Sequence, residues 1–212
     1  TYEPAQPRIP QLGMMNWAKS TPVSDEVTLI PNPNNTSQDI LGNAVRDRLN
    51  SFNLDGVGYA SVANSSSIKP TSALSIECWI KTPDVSSASK YISDAEVGTP
   101  RFFLMQAGSK ARFKIATTEI DSAANLTDNT WHYIAGTWDG TTMKLYVDED
   151  TPVTISKSGA ITYDADDLFI GSRSGTSEYF DGLISDVRLY DRALTSYQVK
   201  NNYNAGLSAH TN

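Results

Sequence analysis

The feature that most constrains the fold is a series of short runs in which apolar and polar residues alternate. The runs begin at Ser51 and are separated by clusters of Gly, Asn, Asp and Ser. Alternation with a period of two gives a strand two different faces, and turn residues at short intervals are typical of sandwiches and barrels. The pattern predicts strands over 51–54, 58–63, 73–81, 89–94, 100–106, 110–116, 131–138, 141–148, 152–156, 167–171 and 179–190.

Local signals refine this prediction at two places. Asp139-Gly140 lies between two alternating runs and predicts a type I′ hairpin turn, which needs residues that tolerate positive φ. Only the last stretch, Ser196–Tyr203, has the character of a helix, and Thr195 or Ser196 is a suitable N-cap residue.

The aromatic residues divide into a core group and a surface group. Trp79, Trp131 and Trp138 lie within alternating runs and are expected to be buried, as is the single cysteine, Cys78. Three tyrosines closer to the predicted turns are better candidates for a ligand or partner surface: Tyr59, Tyr91 and Tyr179.

Residues 1–50 differ from the rest, because they contain six of the ten prolines and little hydrophobic periodicity. Proline removes a backbone donor, so we expect an extended arm with one short strand within 26–30. The arm nevertheless carries large apolar residues, and we expect Met14, Met15 and Trp17 to pack on a neighbouring subunit. The alternative is that the arm folds back on its own domain as an edge strand.

Bulk properties exclude several classes of function. The net charge of −7 argues against nucleic acid as a partner, because phosphate binding needs a basic surface. No apolar run is long enough to insert into a membrane. The start at Thr1 fits either a removed initiator Met or a longer precursor.

Five segments, in order, carry a resemblance to laminin-G-like domains of the concanavalin A-like group. The opening strand, Phe52-Asn53-Leu54-Asp55-Gly56, is followed by four further segments with matching motifs, at 74–81, 130–140, 143–148 and 180–195. A departure occurs at Glu149-Asp150, where the family usually has Gly after Val-Asp.

The resemblance implies an all-β fold, a two-sheet antiparallel jelly-roll sandwich at 51–205, with the arm at 1–50 and a C-terminal tail at 206–212. It also implies that Asp55 and Asp186, near the first and last strands, hold a structural Ca²⁺ ion. Both carboxylates fit a turn-forming role equally well. Arg188 and Arg192 are expected to be exposed members of ion pairs.

Glycoside hydrolases share the general fold that the resemblance implies, so a pair of suitably spaced carboxylates would indicate an enzyme. Glu119-Ile120-Asp121 is the nearest match to the paired carboxylates of a glucanase, but Ala124 stands where the second Glu is needed. His132 is expected to be structural, and His210 lies in a tail that is expected to fray. The sequence therefore predicts that the protein is not an enzyme.

Two functions remain open. The first is a structural protein of a bacteriophage virion, as a capsid-decorating or tail-associated component whose arm contacts other capsid or tail subunits. The second is a calcium-dependent carbohydrate-binding module of a secreted bacterial protein, which would bind glycans through exposed aromatic residues.

Overall fold

The computed structural model describes residues 51–94 and 101–210, together with the backbone of two short strands of the arm. The arm strands are β1 (Val27–Thr28) and β2 (Val45–Arg46). The strands that follow are β3 (Phe52–Asp55), β4 (Ala60–Val62), β5 (Leu74–Lys81), β6 (Ala88–Asp94), β7 (Phe102–Ala107), β8 (Lys110–Ile115), β9 (Thr118–Asp121), β10 (His132–Trp138), β11 (Thr142–Val147), β12 (Val153–Ser156), β13 (Leu168–Ile170) and β14 (Asp181–Tyr190), and helix α1 is Ser196–Gly206.

The described strands form two antiparallel sheets that pack face to face. The first sheet has the order β1-β4-β13-β6-β7-β8-β9, and the second has the order β12-β11-β10-β5-β14-β3-β2. The predicted fold class, an all-β two-sheet sandwich, is confirmed. Within the described ranges, no helix has the length and apolar character needed to cross a membrane.

All eleven strands predicted from Ser51 onward are present, with ends shifted by at most two residues. Strand β9 was missed because Thr118–Asp121 contains a single large apolar residue, Ile120. The turn at 139–142 also differs from the prediction. Asp139 N–H donates to the Thr142 carbonyl, so Gly140 and Thr141 are the central residues, and positive φ at Gly140 (94°) but not at Thr141 is the II′ pattern rather than I′.

The arm contributes an edge strand to each sheet. Strand β1 pairs with β4 in the first sheet, and β2 pairs with β3 in the second. The predicted strand within 26–30 is therefore present at Val27–Thr28, and at these two places the arm lies on its own sandwich. Met14, Met15 and Trp17 lie outside the described residues.

The main core lies between the two sheets and contains Cys78 and Trp138, both with no exposed surface. A second apolar cluster covers the outer face of the second sheet. It includes Trp79 and Trp131, which are 2% and 5% exposed, and it packs under helix α1. The predicted burial of all three tryptophans is confirmed.

Helix α1 begins with a capping box, in which Thr195 and Gln198 each bond the other's backbone N–H. The segment after the helix packs on the second sheet through His210. The His210 ring stacks on Trp79 with the centroids 4.3 Å apart, and it is 5% exposed. The expectation that this residue lies in a frayed tail was wrong, because ring stacking holds it on the sheet.

Strand β14 contains a bulge between Ser185 and Arg188, with Asp186 at φ 50. The extra residue changes which side chains face the core, so Ile184 is in the main core while Leu183 packs against the outer cluster. Arg188 donates to Glu77 at 2.9 Å, and its side chain is 14% exposed. It is therefore a largely buried ion-pair partner, and the prediction of an exposed one was wrong.

Candidate functional site

A structured surface loop, residues 171–180, joins β13 to β14. Its ends are closed by a bond from Phe180 N–H to the Gly171 carbonyl, and an isolated bridge joins Arg173 to Ser177. Ser174 and Gly175, at the tip, have φ 53 and 66. Two successive positive φ values form a tight, I′-like turn, so the loop has a defined backbone rather than an irregular one.

This 171–180 loop is attached to β6, on the outer face of the first sheet. Lys90 N–H donates to the Glu178 carbonyl, and the Ser93 hydroxyl donates to the Ser172 carbonyl, both at 2.9 Å. Lys90 and Ser93 share this face because the pairing irregularity between Lys90 and Ile92 places two core residues, Tyr91 and Ile92, between them. The loop therefore lies across the sheet and is attached to β6 on both sides of its tip.

An aromatic patch, Tyr59, Phe169 and Tyr179, lies beside the loop. The Tyr59 ring centroid is 5.9 Å from Phe169 and 6.3 Å from Tyr179. The Tyr179 hydroxyl donates to the Gly175 carbonyl at 2.6 Å. All three rings are partly exposed, so they support the loop and also present carbon surface to solvent. Two of the three tyrosines predicted as a ligand surface are thus brought together.

The third predicted tyrosine, Tyr91, is fully buried, so its assignment to a ligand or partner surface was wrong. An irregularity in the pairing of β6 with β7, between Lys90 and Ile92, shifts the register at this residue. Tyr91 consequently points into the core, where it meets Phe180 edge-on at 5.3 Å. Burial raises the pKa of its hydroxyl well above the ordinary value.

Three charged residues accompany the patch. The Glu178 carboxylate is 2.5 Å from the Lys90 ammonium and 3.2 Å from the Arg173 guanidinium. Lys90 is almost completely buried, with its ammonium 3.9 Å from the Phe103 ring centroid. Sequence reasoning missed these residues, since the charges come from separate elements. The Ser174-Gly175 pair was the available signal for a tight turn.

The two predicted calcium ligands do not lie together. Asp181 of β14 is opposite Asp55, and Asp186 follows five residues later along the strand. At about 3.3 Å per residue, the separation is roughly 16 Å. Oxygens that share one Ca²⁺ ion lie about 5 Å apart or less. The expectation that this pair holds one ion was wrong.

Each aspartate has another role in the fold. The Asp55 carboxylate accepts from Val57 N–H and Gly58 N–H and so stabilises a turn. The Asp186 carboxylate is 3.5 Å from Arg188. Across 51–94 and 101–210, no group of three or more His, Cys, Asp or Glu side chains is arranged to hold a metal ion.

The carboxylates considered for hydrolysis are engaged in surface ion pairs. Arg112 bonds Asp121 through two nitrogens, at 2.6 and 2.9 Å, and lies 3.2 Å from Glu119. The Arg112 hydrogen bond holds the pKa of Asp121 below its ordinary value, although partial burial opposes the change. A carboxylate of low pKa that is bound to arginine is poorly suited to act as a general acid.

His132 has the structural role that the sequence predicted. Its Nδ1 is 2.7 Å from an Asp148 carboxylate oxygen, and its Nε2 accepts from Thr127 N–H at 3.0 Å. Nε2 must be unprotonated to accept, so the network assigns the neutral tautomer with the proton on Nδ1. The ring joins the loop that precedes β10 to the turn that follows β11. Both of its nitrogens are engaged in these contacts, so neither is left for catalysis.

The fold and this surface define a concanavalin A-like sandwich domain with a structured loop on one sheet. The sequence model of the Laminin_G_3 family, described as the concanavalin A-like lectin/glucanases superfamily, matches residues 54–200. This match covers more than half of the chain. The protein belongs to this family.

A curated relative matches much of this chain and is far longer. A rat (Rattus norvegicus) protein, the sushi, von Willebrand factor type A, EGF and pentraxin domain-containing protein 1, is 27% identical over 166 residues. The match covers 70% of this chain and 5% of the rat protein.

Solved toxin structures share the fold at low sequence identity. The binding domain of Paraclostridial Mosquitocidal Protein 1 is 17% identical, with a TM-score of 0.60, over 76% of this chain and 45% of that one. The receptor binding domain of botulinum neurotoxin D is 14% identical, with a TM-score of 0.61, over 77% and 46%. The chain thus spans less than half of each toxin chain.

Proposed function

We propose that this protein is a non-catalytic binding module that recognises carbohydrate through the aromatic patch and the 171–180 loop. The observation that carries the proposal is the meeting of Tyr59 and Tyr179, with ring centroids 6.3 Å apart, beside a loop of fixed backbone. Sugar rings stack on aromatic side chains through their C–H faces, and their hydroxyls bond to nearby polar groups. Partly exposed tyrosines supply an apolar body and a polar tip together.

The loop supplies the polar groups that such a site needs. Thr176 and Ser177 are exposed on its outer side, and Arg173 and Glu178 are partly exposed. A backbone held by several hydrogen bonds loses little conformational freedom when a ligand binds, which favours affinity. The toxin chains with the same fold are described as binding domains, which agrees with a recognition role.

A glycan array tests this proposal. The wild-type chain is expected to bind a restricted set of glycans, and Tyr59→Ala and Tyr179→Ala are expected to lower that binding about tenfold or more. Tyr197→Ala is the matched control, because Tyr197 is an aromatic residue with 64% exposure on helix α1, over the other sheet. Wild-type binding to no glycan, or equal losses in all three variants, would contradict the site.

The calcium dependence expected from the family resemblance stays a proposal, now without Asp55 and Asp186 as joint ligands. A ligand that binds only the folded state must raise the melting temperature. Millimolar calcium is therefore expected to raise the melting temperature, and EDTA to reverse the effect. Unchanged melting in both would remove calcium from the proposal.

The arm supports a second proposal, an assembly role in a bacteriophage virion as a capsid-decorating or tail-associated protein. Its support is the number of large apolar residues in a proline-rich segment, Met14, Met15 and Trp17 among them. Each such residue gains about 1.5–3 kcal/mol when it is buried, so contact with a partner subunit is favourable. The two proposals are compatible, since a virion protein can also bind glycans.

A further inference from the structure

The charge at the candidate site differs in sign from the net charge of the protein. The whole chain carries a net charge of −7. At the 171–180 loop, however, two cations share a single carboxylate, because Lys90 and Arg173 both pair with Glu178. The pairing leaves one positive charge in excess beside the aromatic patch.

Lys90 holds the larger share of the Glu178 charge. Its ammonium is 2.5 Å from the carboxylate, and its side chain is only 4% exposed. The ammonium is enclosed by the Phe103 ring and the Met105 sulfur, so it has no hydrated position to move to. A buried cation cannot release its counter-ion without a large desolvation cost, and Glu178 is therefore fixed on Lys90.

Titration of the carboxylate agrees with this arrangement. Burial by itself would raise the pKa of Glu178, but Lys90 and Arg173 outweigh burial and hold the pKa below its ordinary value. Glu178 is thus ionised at neutral pH, and the buried Lys90 is its main ion-pair partner.

Arg173 has the weaker contact and the greater access to solvent. Its guanidinium makes one contact with Glu178, at 3.2 Å, and its side chain is 30% exposed. Guanidinium has five N–H donors in a planar fork, so most of its donors are not used by this contact. Arg112, on the same sheet, is 29% exposed but is bound by both Asp121 and Glu119.

We infer that the ligand is an acidic glycan, with Arg173 binding its carboxylate or sulfate group while the aromatic patch stacks on the adjacent sugar ring. The inference rests on the proposed function and gives the class of glycan. The residues combine a planar cation that binds oxyanions in bidentate geometry with neighbouring rings that accept apolar sugar faces. The negative charge of Glu178 repels an acidic ligand, and its ion pair with Lys90 weakens that repulsion.

Matched pairs of glycans test the inference, because each pair differs only in the acidic group. Suitable probes are sialyllactose against lactose, and oligogalacturonate against its methyl ester, with polyglutamate as an anion that lacks sugar rings. The full chain is expected to bind at least one acidic member about tenfold more tightly than its neutral partner.

Four variants show which residues produce the preference for acidic glycans. Arg173→Gln is expected to remove the roughly tenfold preference and to leave binding of the neutral partner unchanged. Glu178→Gln is expected to strengthen acidic binding, because the opposing charge is lost, and to lower the melting temperature, because Lys90 loses its counter-ion. Arg112→Gln is the matched control on the same face, and it is expected to change neither the binding of the acidic glycan nor that of its neutral partner. Melting curves confirm that each variant is folded, and Arg173→Lys, which keeps the charge, is expected to retain part of the preference.

The outcomes separate the two proposals. Equal binding of neutral and acidic partners overturns the inference and leaves carbohydrate recognition intact. Binding to polyglutamate as strong as to the acidic glycans overturns it too, since the surface then recognises charge without a sugar ring. No binding to any glycan contradicts the proposed function itself. An acidic preference that survives Arg173→Gln places the acid group elsewhere and also overturns the inference.

Discussion

Arg188 of β14 donates a hydrogen bond of 2.9 Å to the carboxylate of Glu77 on β5, and that carboxylate is fully buried. Tyr133 donates to the same group at 2.5 Å, and Asn202 of helix α1 donates at 3.0 and 3.1 Å. One buried charge therefore joins three strands and the helix on the outer face of the second sheet. A charge in this position is tolerated only while it is paired and hydrogen-bonded.

The first prediction concerns this ion pair. Arg188→Leu leaves Glu77 buried without its cation and is expected to lower the free energy of unfolding by about 3–5 kcal/mol. Arg112→Leu, which breaks an exposed pair, is expected to cost less than about 1 kcal/mol. Urea unfolding measures both. Adding Glu77→Gln to Arg188→Leu is expected to recover part of the loss, and equal costs for the two single variants would refute the argument.

The second prediction is a pH dependence that originates at Asp94. Its carboxylate is fully buried and pairs with Lys69 at 2.8 Å. Burial raises its pKa from 3.8 to about 6, although Lys69 opposes the change. The folded state then binds the proton more tightly than the unfolded state does. The stability that this group contributes is present below about pH 4 and is lost as the pH rises to about 6.

Asp94→Asn isolates this contribution from those of the other carboxylates. Between about pH 4 and pH 6, the wild-type free energy of unfolding is expected to fall relative to that of the variant by up to roughly 3 kcal/mol. Chemical denaturation at several pH values measures the difference. Asp139→Asn is the control, since hydrogen bonds in its turn lower the pKa of that exposed aspartate and reverse the sign of its pH effect. Parallel pH profiles for wild type and Asp94→Asn would exclude a raised pKa.

Two pairing irregularities mark the limit of what alternation in the sequence can predict. Alternation located the strands and the buried tryptophans, because the period of two directly reflects which face a side chain takes. Alternation does not show which face Tyr91 and Leu183 take, because a shift in register lies at the first and a bulge follows the second. Such irregularities depend on the partner strand, and the sequence of one strand does not show them.

The candidate site was partly predictable for a related reason. Tyr59 and Tyr179 stood out as aromatic residues near turns, and the structure places them in contact. Lys90 and Glu178 did not stand out, since a lysine in a strand with several polar residues and a glutamate in a polar loop are each unremarkable by themselves. Their pairing depends on how the 171–180 loop lies across β6.

The third prediction concerns the arm. Deletion of residues 1–24 leaves β1 and β2 in the chain, so both edge strands can still form. If Met14, Met15 and Trp17 contact a neighbouring subunit, the truncated protein keeps its melting temperature and loses association. Sedimentation of the full and truncated chains, and incorporation into the native particle, measure this. Unchanged association with a lower melting temperature would show that the segment packs on its own sandwich, and the assembly proposal would lose its main support.

The last prediction sets helix propensity against packing at Gly206. Alanine is favoured over glycine within a helix by about 1 kcal/mol, so Gly206→Ala would normally stabilise the end of α1. A Cβ atom at this position, however, would lie 2.4 Å from the Trp79 indole nitrogen and 2.8 Å from the adjacent ring carbon. The indole cannot move aside easily, because Tyr203 and His210 both stack on it, with centroids 5.5 and 4.3 Å away.

We therefore expect the clash to prevail, with a net loss of about 1–3 kcal/mol for Gly206→Ala, as is typical of overpacked sites. Asn204→Ala, on the exposed side of the same helix, has the propensity gain without the clash and is expected to be neutral or slightly stabilising. Thermal and urea unfolding compare the two. Reduced near-ultraviolet tryptophan circular dichroism in Gly206→Ala alone would show that the helix has moved off Trp79. A stabilised Gly206→Ala would mean that α1 and the His210 segment can shift to make room, and that this end of the domain is less tightly packed than the ring distances indicate.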